Sequence, residues 1–218
     1  MKRSLLLFVV VLASSLSAFA QKTKPTPTPA TFLMEIEDVF YISGRGTIAT
    51  GKVERGIIKT GDVVEIVGIK PTAQTTATLV DASGKPLSEA GVGTNIGMLL
   101  KGLQKADVTR GQLIAKPGSV KAYKKFKATI DLVEVKDGGR KTPIATGFRP
   151  QIFFRSVGFS GVITLSAGKS NAAAGEKGVV VEIELSEPAA IEKGGKFSLR
   201  EYGKTIASGT ITALVPTK

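Results

Sequence analysis

The chain has 218 residues, 30 Lys and Arg against 18 Asp and Glu, a formal net charge of +12, and neither cysteine nor histidine. Without those two residue types there are no thiol nucleophiles, imidazole bases, disulfides or usual zinc ligands, which excludes most hydrolase mechanisms and a structural zinc site. The length fits one large or two small domains, and any domain must be held by core burial alone.

The chain opens with Lys2 and Arg3, continues through the apolar run Leu5 to Ala13, and reaches Ser14, Ser15 and the small-residue pattern Ala18-Phe19-Ala20. That order predicts a secretory signal peptide over 1–20, cleaved after Ala20. The run is about nine residues, against roughly 20 needed to cross a bilayer, so no membrane span is expected in the mature chain. The competing reading is a buried helix that begins the fold. Residues 21–30 (QKTKPTPTPA) speak for an extended Thr/Pro linker instead. Export to the periplasm or the extracellular space follows as an expectation, and loss of Lys2 and Arg3 would take the net charge from +12 to +10.

From residue 31 onward, short runs rich in β-branched and aromatic residues alternate with Gly and Pro. In the first half these are Phe32 to Ile42, Gly46 to Val53, Val63 to Ile69, Thr75 to Asp81, Asn95 to Leu100 and Gln112 to Ala115. The second half continues with Phe126 to Val135, Gln151 to Phe159, Val162 to Leu165, Val179 to Leu185, Phe197 to Tyr202 and Thr205 to Val215. No window sustains a helical period over three turns. The expected class is all-β, two consecutive β-barrels over 31–118 and 119–218 with a boundary near Lys116-Pro117-Gly118. Gly44-Arg45-Gly46 lacks the strand, helix and third glycine of a dinucleotide loop and reads as a hairpin. Gly139-Arg140-Lys141-Thr142 likewise lacks the upstream glycine of a phosphate loop, so no cofactor and no GTP are expected. The first half carries 10 basic and 9 acidic residues, the second 16 and 9. A basic second half suits a polyanion, or a solvated surface; lysines without interleaved aromatics do not specify nucleic acid.

The stretch Ile36-Glu37-Asp38-Val39-Phe40, Ile42-Ser43-Gly44-Arg45-Gly46-Thr47, Thr50-Gly51, Val53 to Lys59 and Val64 to Lys70 resembles domain two of bacterial elongation factor Tu in nearly unbroken register. Gly111 to Gly118 is similar to that domain's exit. Gly138-Gly139-Arg140, Thr142-Pro143, Gly147 to Gln151, Phe154-Arg155 and Leu199-Arg200-Glu201 resemble domain three. The resemblance implies the two barrels that follow the family's GTPase domain, with that domain absent. It places Glu37, Asp38, Phe40, Thr50 and Asn95 at the pocket that holds the aminoacylated 3′ end of tRNA, Asp81 where the family has a glutamate near the terminal adenine, and Arg45 near the nucleic-acid backbone. Arg149, Gln151, Arg155, Arg200 and Glu201 match polar positions of the barrel that grips the tRNA T arm. Lys141, Tyr202 and Ala172-Ala173-Ala174-Gly175 depart from the family's usual residues. Each carried position also has a plain structural reading: Glu37 and Asp38 as edge-strand charges, Phe40 as core, Arg45 as a partner for a carboxylate.

Three functional classes follow. A non-enzymatic exported binding module, with an envelope protein, a glycan or another polyanion as partner, comes first. RNA 3′-end or aminoacyl-tRNA binding retained from the family is the alternative. A carboxylate-only enzyme comes last, because adjacent Glu37 and Asp38 on a strand point to opposite faces and cannot act as a pair.

Overall fold

The computed structural model describes residues 31–216, so the signal-peptide and linker expectations lie outside the described residues. Ten strands build the first barrel: β1 (Leu33–Glu35), β2 (Asp38–Ile42), β3 (Gly46–Arg55), β4 (Ile57–Lys59), β5 (Val63–Val67), β6 (Ala73–Val80), β7 (Pro86–Leu87), β8 (Glu89–Gly91), β9 (Asn95–Leu100) and β10 (Leu113–Ala115). Six of them close the ring in the order β1-β10-β5-β6-β9-β3, with β3 returning to β1. β2 hangs on the outer side of β3, β7 on β6, and β4 pairs with β8 alone. Alternation fills the ring: Ala49 and Val53 of β3, Ala77 and Leu79 of β6, and Ile96, Met98 and Leu100 of β9 turn inward against Met34, Ile66 and Ile114.

The expected single run Phe32 to Ile42 is two strands, because the chain changes partners in the middle. Ile36 exchanges hydrogen bonds with Gly111 and Gln112, whereas the Glu37 N–H donates to Thr50 O. The crossing is so close that a Cβ on Gly51 would stand 2.0 Å from Glu35 O, which only glycine allows.

The second barrel contains β11 (Ala122–Leu132), β12 (Ile144–Ala145), β13 (Gln151–Phe154), β14 (Val157–Leu165), β15 (Asn171–Ala172), β16 (Val179–Ala190), β17 (Lys196–Glu201) and β18 (Lys204–Val215). It closes in the order β11-β16-β14-β13-β17-β18, with β18 back on β11. Four phenylalanines, Phe126, Phe154, Phe159 and Phe197, meet mostly edge to face at its centre, with ring centroids 5.6 to 5.8 Å apart, a geometry worth about 0.5–1.5 kcal/mol per pair beyond burial. The expected run Gln151 to Phe159 breaks at the tight hairpin Arg155-Ser156, where Arg155 is left-handed (φ 50). The run ending at Val135 leaves the sheet at Leu132 and enters a 3₁₀ turn, Val135–Asp137.

The barrels meet through a built joint. Leu33, Val67, Leu113 and Ala115 turn away from the first core and join Val120 and Ala190 in a third buried cluster. This explains why all three residues of β10 are buried: Ile114 faces its own core and its neighbours face the second barrel. At Gly68 (φ 102) a Cβ would stand 3.0 Å from Ala190 N, and the Ile69 N–H donates to Pro188 O at 2.6 Å. Arg55 forks onto both oxygens of Glu192 at 2.9 and 2.7 Å, Arg155 meets Glu54 at 2.8 Å, and Ser156 Oγ donates to Glu35 at 2.8 Å.

Candidate functional site

Strand register decides what faces outward on the first barrel. Asp38, Phe40 and Ile42 of β2 lie opposite Thr50, Ile48 and Gly46 of β3; Thr50 and Ile48 lie opposite Gly97 and Leu99 of β9; and Gly97 lies opposite Val80 of β6. Ala49, Met98 and Leu79, on the alternate face, belong to the core. The outward face is therefore a shallow sheet of small and aliphatic side chains, roofed at one side by β2 and at the other by the turn 81–84. A cleft of about 420 Å³ opens between them. Its floor depends on Gly97, where a Cβ would come within 2.8 Å of Val80 Cγ2 and 3.4 Å of Ile48 Cγ2.

Five of the seven positions assigned to this pocket by resemblance line the cleft: Phe40, Arg45, Thr50, Asp81 and Asn95. Phe40 is 49% exposed, so it is a wall of the cleft and not core. Arg45 tops the β2–β3 hairpin between two left-handed glycines, Gly44 (φ 77) and Gly46 (φ 104). Its guanidinium leans over the cleft, with Nη1 3.5 Å from where a Cβ on Gly84 would stand, and among the described residues it has no carboxylate within ion-pair distance. Asp81 is partly committed. Its Oδ1 accepts from Ser83 Oγ (2.7 Å), Ser83 N (2.8 Å) and Lys85 N (2.9 Å). The Ser83 hydroxyl and the Lys85 amide hold this carboxyl below the usual aspartate range. Glu37 and Asp38 do not line the cleft. Asp38 is on the same face as Phe40, at the rim beside Thr50, whose hydroxyl reaches Asp38 O at 3.5 Å; Glu37 lies in the link before β2 and is exposed.

The five second-barrel positions are dispersed. Arg155 spans the joint to Glu54. Glu201 is paired with Arg140, which also stacks 4.4 Å over Phe148 and donates to Thr142 Oγ1 at 2.9 Å. Arg200 lies 4.4 Å over the Phe153 ring, with its Nε buried and unpartnered among the described residues. Arg149 and Gln151 stay together, in an outer groove of about 650 Å³ with Lys124, Ser160 and Glu184.

Sequence reasoning missed the floor residues Val80 and Gly97 and the groove residues Lys124 and Glu184. Gly97 alone carried a signal, an isolated glycine inside a strand, which marks close approach. Lys124 owes its position to a register shift between Tyr123 and Lys125 in the β11–β16 pairing, which no local pattern announces.

The architecture defines a tandem β-barrel module with an open cleft on the outer face of its first barrel. Sequence comparison with known families then identifies the barrels. The profile described as "Elongation factor Tu domain 2" matches residues 46–115, and that described as "Elongation factor Tu C-terminal domain" matches residues 119–215. The chain belongs to the elongation factor Tu family through these two domains, joined in tandem, and is a translation-factor-derived module.

Proposed function

We propose that the chain is an exported, non-catalytic binding module that takes its ligand in the outer cleft of the first barrel. The observation that carries this reading is convergence: Phe40, Arg45 and Thr50 of the β2–β3 hairpin share one concavity, with an apolar floor and a charged rim, with Asp81 and Asn95 from more than thirty residues further along the chain. An aromatic wall, an unpaired guanidinium and an amide suit a ligand with a flat or aliphatic part and an anionic end. Export rests on the order of charge, apolar run and small residues over 1–20. The partner class is an envelope protein, a glycan or another polyanion.

N-terminal sequencing of the protein from fractionated cells tests the address, with Gln21 as the expected mature start. A pull-down from envelope extract, washed at rising salt, tests the cleft. The expected partner is saturable and is lost on the double substitution Phe40→Ala and Asn95→Ala; retention by the folded double variant would refute the assignment.

The same convergence favours a second reading, retained binding of an aminoacylated RNA 3′ end. Its signature is a linear fall of log affinity with log salt, and a preference for aminoacylated over deacylated RNA that Phe40→Ala removes.

A further inference from the structure

The groove on the second barrel lies on its outer face between β13, β14, β16 and the start of β11. Three charged groups line it, none of them within ion-pair distance of an opposite charge among the described residues. Lys124 occupies the irregularity of the β11–β16 ladder, where the register slips between Tyr123 and Lys125. Glu184 is the cross-strand neighbour of Lys125, but Lys125 pairs with Glu182 at 2.7 Å and leaves Glu184 outside ion-pair distance, though still within reach of the Lys125 charge. Arg149 enters from the segment before β13. Gln151 adds an amide, and Ser186, whose Oγ donates to Ser160 O at 3.1 Å, adds a hydroxyl.

We infer that this groove is a binding site for a short peptide with both termini free, its carboxylate held by Lys124 and Arg149 and its ammonium by Glu184. The mixed charge selects the class. A phosphate polymer would gain from the two cations but would meet a fixed carboxylate among them, and like charges brought together repel. A zwitterion satisfies all three groups at once, and about 650 Å³ is within the ordinary range for a small-ligand site. The site is separate from the first-barrel cleft, so either stands without the other.

The test is a calorimetric titration of the full chain with trialanine, N-acetyl-trialanine and trialanine amide. Saturable binding of trialanine is expected, with each blocked peptide at least about tenfold weaker. Arg149→Gln should weaken trialanine and narrow the loss on amidation, which Lys124 still sustains in part, and Glu184→Gln should weaken trialanine while leaving little further loss on acetylation. Both are exposed side chains, and an unchanged thermal transition verifies that the variants fold. The Phe40→Ala and Asn95→Ala variant should bind trialanine as the parent does. Absence of saturable binding overturns the proposal, as does equal binding of the blocked peptides. A third overturning result is an oligophosphate that binds the groove in the peptide's place and tightens on Glu184→Gln.

Discussion

The two barrels carry similar numbers of candidate contact residues and use them in opposite ways. In the first, Arg45 and Asn95 stand over an open cleft with their polar ends uncommitted, whereas in the second Arg155, Arg200 and Glu201 are each absorbed by a protein partner: a carboxylate across the joint, an aromatic face, an arginine. Charge type does not tell these apart, although Arg45 and Asn95 are the more exposed and Arg200 and Glu201 only partly so. What separates them is whether the tertiary fold places an opposite charge or a ring within reach: the other barrel for Arg155, the loop before β12 for Glu201, and the paired strand β13 for Arg200. The contrast yields an ordered set of expectations, since residues committed to the protein should move stability and uncommitted ones should move binding.

The largest stability effect belongs to the joint that absorbs the second barrel's arginine. Gly68 is left-handed, and a Cβ there would stand 3.0 Å from Ala190 N. Gly68→Val therefore combines backbone strain with a branched side chain pressed against the Ala190 backbone, which must give way, and should cost about 3 kcal/mol in chemical denaturation. A loss below about 1 kcal/mol would mean that the barrels slide past each other freely. Next comes a matched pair of arginines. Arg155→Ala removes a half-exposed ion pair to Glu54 and should cost about 1 kcal/mol while leaving first-barrel binding unchanged. Arg45→Ala should stay within about 0.5 kcal/mol of the parent and weaken binding. If the two swap behaviours, the division between committed and uncommitted cations is wrong.

The all-β class and the tandem barrels were legible because Val, Ile and Thr runs between Gly and Pro leave few alternatives. Strand ends were less so. Ile36-Glu37 looks like any other strand residue pair, and only the exchange of partners from β10 to β3 breaks the run there. The short strands β4, β7, β8, β12 and β15 have two or three residues each, too few to show a period. Of the cleft, the wall residues were found by resemblance, but the floor is assembled from three strands whose pairing is non-local. The position of Glu184 outside ion-pair distance was equally hidden, because it depends on Lys125 choosing Glu182 over its own cross-strand neighbour.

A third expectation compares two left-handed hairpin residues. Arg155 (φ 50) and Tyr202 (φ 48) both carry a strained backbone, but Arg155 recovers an ion pair, whereas the Tyr202 side chain is 96% exposed. Asn tolerates this conformation far better than an aromatic residue, so Tyr202→Asn should stabilise the protein by about 0.5–1 kcal/mol in thermal denaturation. The absence of any gain would show that the Tyr202 ring contributes a packing interaction of its own.

The smallest effect is confined to a pH window and lies at the same joint. Burial pushes the Glu35 carboxyl above its ordinary value of 4.5, a shift that the Ser156 hydroxyl and amide and the Arg155 charge reduce and the Glu54 charge adds to. The folded state therefore holds the Glu35 proton more tightly than the unfolded chain does. Well below pH 4.5 both states are protonated and Glu35 costs nothing; as pH rises through the raised value, the folded state alone must ionise a partly buried group, and stability is lost relative to a neutral side chain. Glu35→Gln retains an oxygen that can accept from Ser156 Oγ and removes the ionisation. The variant and the parent should have equal stability at low pH and separate above it, with Glu35→Gln the more stable at neutral pH. Should the parent be the more stable at neutral pH, the ionised Glu35 is being held by the Arg155 charge and the Ser156 donors more strongly than burial opposes it.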